Sequence, residues 1–422
     1  MAARLAQLPP TGRTRNPEFS PRPLPPRKPL RFKPMRRIYL DHNAGSPLRP
    51  EVVRALEELA AGNCGNPSSI HMSGQRARRE LERAREAVAC AVGAKPSQIV
   101  FTSGGTEANN LAILGAVRGR GCRRVVSSAV EHSSVLAPLA QLKREGLEAV
   151  LLACDSEGRI SASDLRLALG SATALVTIGL ANSEVGTLQD IAALGASVRQ
   201  HDALFHIDAA QALGRVALDV GTLGCDLMTL SGHKVGAPAG IGALYVRDRS
   251  IVEPIMLGGP QEQGLRAGTQ NLSGAVGFGV AIRTATKLLA EEAGRMGFLA
   301  ERLWERLREE IPGLRRNGSQ LARIPNTLNL TFPAVEGETM LIALDLAGVE
   351  VSMGSACAAG AVEPSHVLLA MGRSRHEARS SLRLSLGWSS TAEEIGEAAA
   401  RIVGVWRRVA QAEPAGVREA AQ

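Results

Sequence analysis

Lys234 stands in Ser231-Gly232-His233-Lys234, directly after the apolar run Asp226-Leu227-Met228-Thr229-Leu230 and before the small, glycine-rich Val235-Gly236-Ala237-Pro238-Ala239-Gly240-Ile241-Gly242. Lysine is a strongly hydrated cation whose pKa falls when it is partly buried near other cations or dipoles. A neutral amine in such a place can form a Schiff base with a carbonyl compound or with pyridoxal phosphate. Taken alone, the residue reads more readily as a strand-end lysine in water, the usual fate of a single lysine.

Other chemically able residues fall at comparable places. Ser103-Gly104-Gly105-Thr106-Glu107 follows an apolar strand ending at Phe101 and opens a helix. Its glycine N–H groups, the Thr106 hydroxyl and the helix N-terminus suit a phosphate, although the run also reads as a tight turn. It has neither the Lys-Ser/Thr ending of a nucleotide P-loop nor the spacing of a dinucleotide fingerprint. His132 follows the strand at 124–126 and either stacks on a flat cofactor or caps a helix. Asn182 follows the strand ending at Leu180. In Phe205-His206-Ile207-Asp208-Ala209-Ala210-Gln211 an acid closes an apolar strand, a costly position unless the carboxylate is paired, and a protonated pyridine nitrogen is a fitting partner. Gln211 shares its face if a helix begins there, and Lys234 follows 26 residues after Asp208, one strand-plus-connection unit. Cys357 lies in Ser352-Met353-Gly354-Ser355-Ala356-Cys357-Ala358-Ala359-Gly360, a small-residue run that reads as an exposed loop. A single cysteine is otherwise more often a small buried hydrophobe.

The elements that must position these residues alternate along the chain. Strands are expected at 98–101, 124–126, 149–152, 174–180, 204–207, 226–230 and 242–246, with helices at 73–92 and 106–117 among them. Continuously apolar strands between helices imply an α/β fold with a mostly parallel sheet covered on both faces, whose carboxyl edge gathers ligand contacts. One long helical stretch runs through 271–310 and ends at Pro312-Gly313. Beyond it come strand 327–332, helix 338–346, strand 349–352, helix 365–371, strand 381–386 and a terminal helix from 391 to about 409. The division read from this pattern is a large cofactor-binding domain over 51–290 and a smaller α+β domain over 291–410 that carries the Cys357 loop. Residues 38–50 pack with the smaller domain, and 411–422 form a flexible tail.

Residues 1–37 hold ten of the 49 basic residues and one of the 41 acidic ones, leaving 39 against 40 in the rest. The basicity therefore belongs to a proline-rich extension, expected to be disordered, and implies no direct nucleic-acid binding by the body. The extension is arginine-rich like a transit peptide, yet its prolines oppose the amphipathic helix such peptides use. No apolar run is long enough to span a membrane. The six cysteines (64, 90, 122, 154, 225, 357) lack paired spacing, which points to reduced thiols and a cytoplasmic protein.

In order along the chain, Tyr39-Leu40-Asp41-His42-Asn43-Ala44, Gly65-Asn66-Pro67-Ser68-Ser69-Ile70-His71, Thr102-Ser103-Gly104-Gly105-Thr106-Glu107, Asp208-Ala209-Ala210-Gln211 and Ser231-Gly232-His233-Lys234 resemble the class V pyridoxal-phosphate enzymes. The specific resemblance is to cysteine desulfurases of the NifS/IscS type, longer-loop group. It continues through Gly264-Leu265-Arg266-Ala267-Gly268-Thr269, Gly354-Ser355-Ala356-Cys357, Glu363-Pro364-Ser365-His366-Val367-Leu368 and Leu382-Arg383-Leu384-Ser385, and so spans Ile38 to about residue 400. The resemblance implies a fold-type I transferase and gives each residue a role. Lys234 carries pyridoxal phosphate and moves protons, Asp208 holds the pyridine nitrogen protonated, Gln211 and Asn182 bond the ring hydroxyl, and His132 stacks on the ring. Gly105, Thr106, Ser231 and His233 bind phosphate, Thr269 reaches the phosphate of the partner in a homodimer, and Arg383, with Asn43 nearby, takes the substrate carboxylate. Cys357 attacks the sulfur of L-cysteine, keeps it as a persulfide and passes it to a scaffold protein for iron–sulfur clusters. No dedicated metal site is implied, with Cys357 at most a transient cluster ligand.

The chain departs from the family at Gly45-Ser46, where paired threonines are common, and in the run after Lys234. Two alanines follow Cys357 where hydroxyl residues are common, and the C-terminus ends Arg418-Glu419-Ala420-Ala421-Gln422 without an acidic-aromatic-histidine tail. These differences lean towards a specialised, NifS-like member, as in nitrogen fixation. The alternatives are a selenocysteine lyase or another class V reaction, or sulfur donation to tRNA or cofactor thiolation.

Overall fold

The computed structural model describes residues 36–62, 65–120, 123–354 and 363–412. Nearly all of the basic extension, the stretch holding Cys357, and Cys64 and Cys122 lie outside the described residues. The strands are β1 (Ile38–Tyr39), β2 (Ile99–Thr102), β3 (Arg124–Ser128), β4 (Glu148–Leu152), β5 (Thr173–Gly179), β6 (Leu204–Asp208), β7 (Leu227–Ser231), β8 (Gly242–Val246), β9 (Arg315–Asn317), β10 (Thr327–Thr331), β11 (Val349–Glu350) and β12 (Ser381–Ser385).

Seven strands form one sheet in the order β2-β8-β7-β6-β5-β3-β4. All run the same way except β8, which is antiparallel to both neighbours. The unbroken apolar runs arise because both faces are buried. Along β6, Phe205 and Ile207 enter one core and Leu204 the other, and along β7 Met228 and Leu230 oppose Leu227. Helices Met72–Ala91 and Leu272–Lys287 cover the first face, and Gly105–Asn110 and Ser133–Arg144 the second. The mostly parallel, doubly covered α/β sheet expected from the sequence is the sheet observed.

A second core gathers Leu40, Leu299, Leu303, Leu328, Leu330, Leu384 and Ile402. It contains the antiparallel sheet β12-β10-β9 and the parallel pair β1-β11, which brings Ile38 beside Val349. The single helical stretch expected over 271–310 is two helices, Leu272–Lys287 and Leu289–Glu310. The first buries Ala275, Phe278 and Ile282 in the sheet core and the second buries Leu299, Leu303 and Leu307 in the other. One straight helix has a single apolar stripe and cannot serve both. The last helix, Ala392–Ala412, also runs further than expected and takes in Gln411 and Ala412, which the sequence had assigned to the tail. Among the described residues no helix is long and apolar enough to cross a membrane.

Candidate active site

The carboxyl ends of β2, β3, β5, β6 and β7 converge, as expected where ligands bind to such sheets. A cavity of about 280 Å³ opens there, lined by Lys234, Asp208, His132, Asn182, Gln211, Gly105, Thr106, Ser231, His233, Asn43 and Arg383. Every candidate residue named from the sequence is on its wall apart from Cys357, which lies outside the described residues, and Thr269, which is exposed and lines no part of it. A larger cleft, about 950 Å³, between helices Pro50–Ala61, Met72–Ala91 and Leu272–Lys287 has a mixed Arg and Glu lining and includes none of these residues.

Lys234 does not point into water. Its Nζ donates to the carbonyl oxygens of Asn43 and Ala44, the latter at 3.0 Å. Burial, and then the positive charges of Arg215 and Arg383, push its pKa down to about 7. Arg215 is itself buried, donates to the Gln211 backbone and side chain and to the His42 carbonyl, and is lowered to about 9 by burial and the charge of Arg383. Close approach of the chain also shapes this corner: a Cβ on Gly242 would sit 2.7 Å from Gly104, so the glycine-rich run lets β8 press against the phosphate-type turn.

The unfolded chain binds the Lys234 proton up to about pH 10.5 and the folded chain only to about 7. Unfolding therefore takes up a proton between those values, and stability rises with pH across that window. In the cofactor-free protein Lys234→Met removes this penalty, on the order of 4 kcal/mol at pH 7. The variant is expected to melt higher than wild type at pH 7, with the gap closing as pH approaches the ordinary lysine value. A gap that does not change with pH contradicts a desolvated amine.

Asp208 ends β6 with Oδ2 accepting from Asn109 Nδ2 at 2.7 Å and Oδ1 from the Ala210 N–H at 3.0 Å. Asn109 Nδ2 also donates to Ser134 Oγ at 2.8 Å, and Ser134 Oγ meets His132 Nδ1 at 2.7 Å. His132 is the helix N-cap expected as one reading: Nδ1 accepts from the Ser134 N–H, and that bond fixes the ring on the cavity wall. Burial keeps His132 below its usual pKa, against the pull of the Asp208 charge. Glu131 is buried beneath, its carboxylate accepting from Ser128 Oγ at 2.6 Å and the Gly179 N–H at 2.8 Å. Burial, aided by Asp208, pushes it up to about 7.

Asn182 Oδ1 accepts from the Glu184 and Val185 N–H groups while Nδ2 donates to the Val130 carbonyl. Gln211 Nε2 donates to the Asn43 carbonyl at 3.1 Å. Ser231 Oγ and His233 Nδ1 lie 3.1 Å apart, and burial lowers His233 to about 4. Arg383 donates Nη1 to the Ser183 carbonyl at 3.1 Å and Nη2 to Asp41 Oδ1 at 2.7 Å, and its buried Nε has no partner among the described residues. Asn43 spends both amide hydrogens on Ser183 O and Thr327 Oγ1 and its oxygen on Asn326 Nδ2. It thus frames the cavity more than it offers donors to it. Asn109, Ser134 and Arg215 carried no sequence signal of their own, and Asp41 stood out only within its motif, because the Asn109–Asp208 and Asp41–Arg383 contacts join residues far apart in sequence.

A profile described as Aminotransferase class-V matches residues 38–397. The cysteine desulfurase IscS of Dictyoglomus turgidum is 42% identical over 363 residues, covering 85% of this chain and 92% of that protein. The cysteine desulfurase IscS of Pseudomonas syringae is 44% identical over 374 residues, covering 86% and 91%. A solved NifS-like protein superposes with TM-score 0.83 at 32% identity, covering 88% of this chain and all of that one. The chain belongs to the cysteine desulfurases of the class-V aminotransferase family. This cysteine desulfurase is accordingly a fold-type I, pyridoxal-phosphate-dependent enzyme.

Its residues fit that cofactor. A desolvated amine, a carboxylate gripped at a strand end and a helix-opening glycine turn share one cavity. These are the donors and acceptors that an aldehyde, a pyridine nitrogen and a phosphate need.

Proposed function

We propose that the protein converts L-cysteine to L-alanine and keeps the sulfur as a persulfide on Cys357. The observation that carries the reading is the meeting of Lys234, Asp208 and Arg383 on one cavity wall. Bound there, pyridoxal phosphate supplies an electron sink for the bonds broken at the substrate. Lys234 holds the cofactor and moves the substrate Cα proton. Asp208, set by Asn109 and the Ala210 N–H, keeps the proton on the pyridine nitrogen. His132 offers its ring face, and Asn182 and Gln211 stand at the ring hydroxyl. Gly105, Thr106, Ser231 and His233 take the phosphate.

Arg383 takes the substrate carboxylate with its guanidinium, and Asn43 keeps the surrounding backbone in place. The Cys357 thiolate then attacks the substrate sulfur. The new S–S bond forms as the substrate Cβ–S bond breaks, the electron pair of that bond takes a proton at Cβ, and alanine leaves. As domains, residues 51–290 hold the cofactor and 291–410 bring Arg383 and the Cys357 segment, with 38–50 joining the latter. A homodimer is supported by Thr269, which is exposed and off its own cavity yet matches a family position that meets the partner's phosphate. A scaffold protein for iron–sulfur clusters is the acceptor that the IscS relatives suggest, and the scattered cysteines favour the cytoplasm.

L-Cysteine given to the cofactor-loaded protein is expected to yield L-alanine and, with a reductant, an equal amount of sulfide. Arg383→Lys loses the planar, bidentate guanidinium and is expected to raise KM by about tenfold or more. Steady-state assays check both. Absence of alanine overturns the proposed reaction, and an unchanged KM overturns the role of Arg383.

A further inference from the structure

Glu184 is 1% exposed, and among the described residues no cation pairs with it. A carboxylate buried in that way is costly unless it is held by hydrogen bonds with a purpose. Its side-chain bond is to Ser365, whose hydroxyl donates to Oε2. On the other side lies Gly354, where φ is +100° and a Cβ would sit 2.7 Å from the same Oε2. Gly354 and Ser365 stand on either side of the stretch containing Cys357, so both of its stems meet one carboxylate.

Each stem is anchored further. Ser352 exchanges backbone bonds with Arg383 in both directions. Ser365 caps the following turn through the Leu368 N–H at 3.2 Å, and His366 Nε2 lies 2.9 Å from the Glu131 carbonyl oxygen. The backbone of Glu184 is fixed by Asn182 Oδ1 at 2.9 Å and Asn329 Nδ2 at 3.3 Å. A second cavity, about 340 Å³, is lined by Glu184, His366, His132 and Ser183. It shares His132 and Ser183 with the cofactor cavity, so the clasp borders the candidate site directly.

We infer that Glu184 is a positioning residue that bonds the Ser365 stem of the Cys357 segment, packs against its Gly354 stem beside the cofactor-facing Asn182 loop, and so governs delivery of the Cys357 thiol to the substrate sulfur. This rests on Cys357 being the nucleophile. Holding a reacting group in line governs rate steeply, with small misplacements costing up to about a hundredfold.

The test uses the full-length, cofactor-loaded enzyme in single-turnover experiments. One readout is the absorbance change of bound cofactor on adding cysteine, which reports substrate entry; the other is persulfide on Cys357 by quenched mass spectrometry. Glu184→Ala and Ser365→Ala are expected to keep the first while slowing the second, by about a hundredfold and about tenfold. Glu184→Gln, which retains an acceptor for the Ser365 hydroxyl, recovers most of the rate. Persulfide formation at the wild-type rate in both alanine variants, equal loss of both readouts, or no recovery with glutamine overturns the inference. Ser365 is half-buried, so its variant supplies the answer should Glu184→Ala not fold. A Cys357→Ala enzyme that still releases alanine at the wild-type rate would instead overturn the nucleophile assignment.

Discussion

Lys234→Ala is expected to lower alanine formation from L-cysteine by about four orders of magnitude. The amine is the one group on the cavity wall that can both hold an aldehyde and carry a proton at the substrate Cα. Its environment is built for this work: two backbone carbonyls grip Nζ, and burial beside Arg215 and Arg383 makes its neutral form accessible near pH 7. Alanine removes the group while leaving the Asp208, Asn109, Ser134 and His132 network untouched. The purified variant should therefore fold normally and retain cofactor, if at all, only in a form that denaturation releases. Single-turnover alanine assays check the loss, and activity within about tenfold of wild type would show that Lys234 is not the proton carrier.

Cys357→Ala is expected to be the second great loss, at least about a thousandfold in desulfuration. The reason is chemical. Transfer of the substrate sulfur needs a thiolate to accept it, and alanine has none. The variant should nonetheless bind pyridoxal phosphate and change its absorbance with cysteine, since the residues proposed to hold both belong to the cavity wall. That combination separates a missing nucleophile from a damaged site. It also decides between reaction classes: selenide released from selenocysteine at the full rate by the same variant would favour a selenocysteine lyase.

What could be read from the sequence follows from how local each signal is. Asp208, Lys234 and the Gly105-Thr106 turn each sit where an apolar strand ends, so strand reading alone brings them to one edge of a parallel sheet. His132 and Asn182 follow by the same logic. The supporting residues are different. Asn109 looks like any helical asparagine until β6 places Asp208 beside it, and Arg215 looks like a surface arginine until the fold buries it and brings it to the His42 carbonyl. Asp41 was visible within its motif, but its pairing with Arg383 spans most of the chain. The break at Leu288 leaves no mark in the sequence because both flanking helices keep an apolar period, and only the two cores they serve reveal the change of face. Thr269 remains a residue whose proposed partner is another copy of the chain.

The account turns on the persulfide, and its most direct test is to find it. Cofactor-loaded enzyme is mixed with L-cysteine, quenched with an alkylating reagent and digested, and the peptide containing Cys357 is examined by mass spectrometry. One added sulfur atom on Cys357, appearing at the rate of alanine formation and absent in the Lys234→Ala enzyme, is the predicted result. Alanine formed with Cys357 unmodified throughout, or with the sulfur first appearing on Cys90 or Cys154, would contradict it.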